Sequence, residues 1–183
     1  MELLERARQW ASHDPDPATA SALSADIEAA QRGDEEAAAR VGAAMNGPLQ
    51  FGTAGLRGMV GPGESRMNLA VVIRATAGLC EVVKRHATGT PTLVVGCDAR
   101  YGSSEFATAA CRVASAAGVR VLALPQANPT PLTSFSMLHF DADAGVMVTA
   151  SHNPAPDNGY KVYLGGTVAQ GDGRGVQIVP PFD

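Results

Sequence analysis

The sequence predicts an α/β protein: a three-layer α/β/α domain with a mixed sheet, preceded by an N-terminal helical arm. Three observations point there. Short apolar runs that suit buried strands alternate with stretches of helical period. The composition changes near residue 40: residues 1–40 hold nine of the eighteen acidic residues but one of the twenty glycines, while the remainder has ten basic and nine acidic residues. Finally, 183 residues with 45% apolar and 17% charged content suffice to bury a core without disulfide or metal staples.

Taken in order, Glu2–Ser12 reads as a short helix that Asp14-Pro15-Asp16-Pro17 ends. Ala18–Gln31 and Asp34–Ala44 are Ala-rich helical stretches, and Gly47-Pro48 breaks the pattern. Residues 1–47 therefore form the arm and 48–183 the α/β body. Leu49–Gly63, rich in glycine, reads as strand and turn. Asn68 suits the cap of a long helix whose Leu69, Val72, Ile73, Thr76, Leu79 and Val83 recur at the helical period. Thr92–Gly96 is a buried strand. Ser103 or Ser104 caps a helix to about Ala117 that Gly118 closes. Val119–Leu124 is a strand, Thr130-Pro131 opens a helix to Phe140, and Ala144–Thr149 is a third buried strand. Tyr160–Leu164 and Val176–Val179 read as further strands. Pro180-Pro181-Phe182-Asp183 resembles the start of another helix, so a truncated chain is expected.

The chemistry classes narrow quickly. A net charge of −4 argues against a nucleic-acid partner. No apolar run approaches the roughly 18 residues of a membrane span, and the charged N-terminus has no signal-peptide core. Cys80, Cys97 and Cys111 are odd in number and lack metal-ligand spacing, which reads as reduced, buried thiols of a cytoplasmic protein. Trp10 reads as a packing anchor for the arm.

Three stretches carry chemistry. The strand ending at Thr149 runs into Ala150-Ser151-His152-Asn153-Pro154, followed by Asn158-Gly159-Tyr160-Lys161. Ligands bind where strands of an open α/β sheet end. A serine there, near a histidine and a lysine, suits acceptance and donation of an anionic group. A turn capped by its own Ser and Asn side chains fits the same residues. Phe51-Gly52-Thr53-Ala54-Gly55-Leu56-Arg57-Gly58 offers backbone amides and a guanidinium to an anion, or a plain hairpin with a solvated arginine. Gly96-Cys97-Asp98-Ala99-Arg100 closes a strand. It shares the serine's sheet edge if those strands are parallel, and Asp98 and Arg100 read as a pair or a brace for loop backbone. A serine hydrolase using Ser151 and His152 is disfavoured, because neighbours on an extended loop point apart and no Gly-x-Ser-x-Gly elbow is present. The dinucleotide fingerprint is also missing.

In this order the three stretches resemble the first domain of the α-D-phosphohexomutase superfamily, the phosphoglucomutase/phosphomannomutase group. Thr149–Pro154 is similar to its phosphoserine loop, Asn158–Lys161 to the segment after it, Phe51–Gly58 to its opening motif and Gly96–Arg100 to its GxDxR segment. Trp10, Asp14-Pro15 and Arg66-Met67-Asn68 resemble the branch of bacterial phosphomannomutases and phosphopentomutase-like enzymes. The resemblance implies a mutase that moves phosphate between O1 and O6 of a hexose phosphate through a bisphosphate, with hexose 1,6-bisphosphate as activator and intermediate. A phosphopentomutase, or a non-catalytic sugar-phosphate binding module for the fragment alone, stays open. By the same resemblance Ser151 carries the phosphoryl group and His152 lies beside it. Lys161 is an acid/base or a steadying charge, and Arg57 approaches the phosphoserine or the attacked hydroxyl. Thr53, Asn153 and Asn158 join Arg57 and Lys161 in binding phosphate or substrate. Mg2+ would take Ser151 as ligand through its phosphate. Its other ligands would lie in domains II–IV, outside this chain, so that the fragment by itself is expected to be inactive. Gly171-Asp172-Gly173-Arg174-Gly175 reads as a turn between two strands.

Overall fold

The computed structural model describes residues 3–52, 55–125 and 127–178. The arm is three helices, α1 (Leu3–His13), α2 (Pro17–Gln31) and α3 (Glu35–Ala44). Asp16 and Asp34 cap α2 and α3 by accepting from Ala18 N and Ala37 N, which satisfies amides that a helix start leaves orphaned. Ala7, Leu23, Ile27, Val41, Ala44 and Met45 form a cluster of their own, against which Trp10 packs. Arg6 joins the arm to the body through Glu64 and donates within the arm to Met45 O.

The body is one five-stranded sheet in the order β1-β5-β4-β2-β3. Its strands are β1 (Leu56–Met59), β2 (Thr92–Cys97), β3 (Arg120–Ala123), β4 (Ala144–Val148) and β5 (Asp157–Leu164). β2 runs parallel to β3 and β4, while β5 is antiparallel to β4 and β1. The sheet is mixed, as expected. The parallel order brings the C-terminal ends of β2 and β4 to one edge, with Cys97 opposite Val148.

Helices α4 (Leu69–His86) and α5 (Ser103–Ala116) cover one face, where Val72, Cys80, Val83, Phe106, Val95, Val146, Val148, Tyr160 and Val162 form the main core. Helix α6 (Thr130–His139) covers the other face, where Met137 meets Val94, Met147 and Tyr163. Burial on this scale contributes about 25 cal/mol per Å² of apolar surface removed from water, which is why the central strands β2 and β4 are continuous apolar runs of the sequence. Asn68 caps α4 by accepting from Val71 N, and its amide donates to Gly61 O and Gly63 O, so one side chain ends a loop and starts a helix.

Several boundaries differ from the sequence reading. The strand-and-turn stretch 49–63 holds only the four residues of β1. Neither Ser103 nor Ser104 caps α5: left-handed Gly102 precedes it, and Ser103 is a buried first-turn residue whose hydroxyl is taken by Asp98. β5 starts three residues before Tyr160 because its Asp157–Gly159 pair with β1 as well. The expected strand Val176–Val179 is, among the described residues, a single bridge between Gln177 and Tyr163; a 3-10 turn at Gly171–Gly173 precedes it, so the Gly-Asp-Gly-Arg-Gly run does not connect two strands. Val179 and the Pro180–Asp183 run lie outside the described residues. Cys80 and Cys97 are buried and unpaired, but Cys111 is only half-buried.

Candidate active site

The site lies at the shared edge of β2 and β4. β4 ends at Val148, and Thr149 and Ala150 are still buried, so the base of the turn is anchored in the core. Ser151 then turns out into solvent with φ +58°. A left-handed conformation costs an L-residue with a side chain roughly 1–2 kcal/mol. What holds it is visible on both sides of the residue. The Ser151 amide donates to Thr149 Oγ1 at 2.9 Å, and Thr149 Oγ1 in turn donates to Asp98 Oδ2 at 2.6 Å. The Ser151 carbonyl accepts from Arg100 Nη2 at 2.9 Å. A hydrogen bond to a charged group is worth about 1.5–3 kcal/mol, so one such contact offsets the strain.

The GxDxR segment is therefore a brace for the loop backbone. Arg100 also donates to Asn153 O (2.7 Å), Pro154 O (2.8 Å) and Asp157 O (3.1 Å), and faces Asp98 Oδ2 at 3.4 Å. Asp98 accepts from Arg100 N and Ser103 Oγ as well. Turning at positive φ also overturns the expectation that Ser151 and His152 point apart: Ser151 Oγ stands 3.3 Å from His152 Nδ1. Among the described residues His152 has no carboxylate behind it, so no triad forms.

Arg57 and Lys161 arrive from the neighbouring strands. Arg57 lies opposite Gly159, and Lys161 is two residues further along β5, so all three share one face of the sheet. Arg57 Nη1 donates to Asn153 Oδ1 at 3.3 Å, which ties the guanidinium to the serine loop, while its buried Nε has no partner. Gly159 makes this possible. A Cβ there would stand 2.6 Å from both Leu56 O and Thr149 O and 3.2 Å from Arg57 Cγ. Lys161 is held below the ordinary lysine range by burial first and by the charge of Arg57 second. Among the described residues neither cation has a carboxylate partner.

The remaining expected residues divide. Asn153 is at the site: besides accepting from Arg57, it donates to Asp157 Oδ2 at 3.0 Å. Asn158 is a correction. It is fully buried, its amide donates to Tyr101 O and Ser103 Oγ, and its oxygen accepts from Gly159 N, so it braces the fold and has no donor left for a phosphate. Thr53 lies outside the described residues. The amides of Gly52 and Gly55, expected to be open to an anion, are spent on each other's carbonyls in a tight bridge. Gly55 also sits at φ +81° against the backbone of Tyr160, where a Cβ would come within 2.3 Å of Tyr160 O. The bracing role expected of Asp98 and Arg100 is present, while sequence reasoning missed Thr149, whose hydroxyl links Asp98 to the Ser151 amide and whose only signal was its place at a strand end.

The match to known proteins bears on this geometry. Residues 48–173 match the family model for phosphoglucomutase/phosphomannomutase, alpha/beta/alpha domain I. The chain belongs to this family. The phosphoribomutase of Saccharomyces cerevisiae is 44% identical over 141 residues, covering 74% of this chain and 21% of that protein. The human phosphopentomutase is 37% identical over 183 residues, covering 96% of this chain and 28% of that protein. A crystal structure from Thermus thermophilus, named for a phosphomannomutase activity, superposes with a TM-score of 0.61 at 32% identity over 73% of this chain and 28% of that one. The chain thus spans less than a third of the length of these relatives.

A magnesium ion asks for near-octahedral oxygen coordination. This family domain offers the Ser151 hydroxyl. The nearby carboxylate of Asp98 is spent on Thr149, Ser103 and Arg100. Among the described residues no three His, Cys, Asp or Glu side chains gather for a metal. The described residues do not by themselves make a magnesium site. No described helix is long and apolar enough to cross a membrane.

Proposed function

We propose that this chain is the phosphoserine domain of a phosphosugar mutase, an intramolecular phosphotransferase that carries the phosphoryl group on Ser151. The observation that carries the reading is an exposed serine at the end of a buried strand, braced in a strained turn that Arg57 touches through Asn153, with Lys161 next to Arg57 and no carboxylate partner for either cation among the described residues. Such an arrangement is costly for an empty fold and suits a dianion.

The chemistry follows from those groups. A sugar hydroxyl oxygen attacks the phosphorus, the phosphorus–Oγ bond breaks, and Ser151 Oγ takes a proton. The reverse transfer, to the other hydroxyl of the reoriented bisphosphate, restores the phosphoserine. Little covalent work falls to the protein, so positioning and charge dominate. Arg57 steadies phosphate oxygens with donors it does not use elsewhere. Lys161, its pKa lowered by burial, exchanges a proton with the sugar hydroxyl more readily than an ordinary lysine does. His152 and Asn153 line the same turn. The substrate is a hexose phosphate exchanging between O1 and O6, with the 1,6-bisphosphate as intermediate. Sugar recognition and the metal ligands belong to further domains, and the three unpaired thiols suit the cytoplasm. A pentose phosphate is the second reading. It is favoured by the human phosphopentomutase, whose similarity runs across the arm as well as the body.

The test is phosphate mapped by intact mass and fragmentation. One phosphate on Ser151, absent from Ser151→Ala, is the expected result; a chain that never carries phosphate there overturns the reading. Supplying hexose 1-phosphate and pentose 1-phosphate in parallel to the whole protein decides between the sugars.

A further inference from the structure

Arg100 touches no group that would react, yet its side chain is the most fully employed in the site. Nη1 donates to Pro154 O and Asp157 O, Nη2 donates to Ser151 O and Asn153 O, and Nε faces Asp98 Oδ2. A guanidinium has five N–H groups; four here donate to carbonyl oxygens, and Nε adds an ion-pair contact with Asp98. Four carbonyls of one turn point at a single spot, which concentrates partial negative charge under the loop. A planar, charged fork answers that pattern. A lysine ammonium, with three donors on one atom, does not.

We propose that Arg100 is the positioning residue that sets where Ser151 Oγ points. The geometric reason lies in the two peptide planes flanking Ser151. The plane before it is pinned through its N–H by Thr149 Oγ1, which Asp98 holds. The plane after it is pinned through its C=O by Arg100. With both planes fixed, φ and ψ of Ser151 are fixed, and so is the direction of its Cα–Cβ bond. Asp98 closes the device, because it meets both Thr149 and Arg100. Without Arg100 the serine relaxes out of the left-handed region, which a residue with a Cβ leaves readily, and Oγ swings off its line. Groups that bind a sugar phosphate elsewhere are untouched. The loss therefore falls on kcat and leaves KM nearly unchanged.

The inference rests on the mutase reading for its kinetic part alone; the conformational part stands without it. The test uses Arg100→Ala and Arg100→Lys in this chain, with hydrogen exchange read on the 149–160 segment and on α4 as an internal reference. In both variants the loop amides exchange at least about tenfold faster while α4 keeps its protection. Millimolar guanidinium restores loop protection in Arg100→Ala. In the whole protein kcat falls about 100-fold with KM within about twofold, as expected for a reacting atom displaced by about an ångström, and Arg100→Lys does not recover it. Wild-type loop exchange in both variants overturns the proposal, as does full recovery by lysine, which would reduce Arg100 to its charge. Should Arg100→Ala not fold, unchanged loop exchange in Arg100→Lys overturns it equally. Loosened loop amides in a protein that never phosphorylates Ser151 would support the positioning role and defeat the mutase reading instead.

Discussion

Strand β5 has two faces, and they are built to opposite ends. On one, Tyr160 and Val162 sink into the core beneath α4, and Asn158 is buried against the start of α5. The Tyr160 hydroxyl shares a 2.8 Å hydrogen bond with Thr76, and complete burial drives its pKa upward, so the phenol stays neutral. Every polar group there has a partner inside the protein. On the other face, Gly159 and Lys161 with Arg57 from β1 lie beyond the cover of α6, whose core contacts on β5 are at Tyr163. There two cations sit together, one of them partly desolvated, with no carboxylate among the described residues to balance them. A strand tuned for stability alone would carry an acid beside Lys161. The contrast teaches that one face is spent on holding the sheet and the other is kept charged for something that arrives.

That contrast can be broken or sharpened by substitution. The largest effect expected is from Ser151→Ala, which removes the phosphate acceptor: turnover of the whole protein should fall more than about 1,000-fold, with the denaturation midpoint of this chain preserved. Ser151→Gly, equally inactive, should gain about 1 kcal/mol by relieving the left-handed strain; no gain would mean the turn is not strained. Next comes Gly159→Ala. Its Cβ would strike two backbone carbonyls, and a loss of about 3 kcal/mol is expected in urea denaturation. A cost under about 1 kcal/mol would show that the packing of Arg57 across this glycine is loose. On the buried face, Tyr160→Phe should cost about 1 kcal/mol by ending the bond to Thr76, with no change in phosphate uptake. The smallest effect on stability belongs to Lys161→Met. Because the folded-state pKa lies below the ordinary 10.5, the unfolded chain holds more protons between the two values, and stability rises with pH across that window. Lys161→Met should abolish that rise and slightly raise the midpoint at neutral pH, while weakening phosphate binding. A midpoint that falls instead would show the ammonium to be paired after all.

Much of this was readable from single residues. The helical arm, the Asn68 cap, the buried strands and the serine loop follow from periodicity and local chemistry, which act within a few residues. The misses share a cause. Asn158 looks like a polar loop residue in sequence, but pairing with β1 extends β5 through it and buries it against Ser103. Ser103 looks like a cap, but Asp98 from another segment takes its hydroxyl. The segment at Val176 has β-forming residues, yet among the described residues it pairs only through one bridge, from Gln177 to Tyr163.

Sequence alone determined which residue types stand at the ends of strands, and therefore that a serine, a lysine and an arginine were available near one edge. Their assembly is tertiary. Ser151, Arg57, Lys161 and Arg100 come from four segments that meet only because β4 lies between β2 and β5. The left-handed turn at Ser151 could not be read locally, since its own residue type disfavours it. It exists because the carbonyls of one loop converge on a guanidinium delivered by another, and a many-body contact of that kind leaves no period or spacing in the chain.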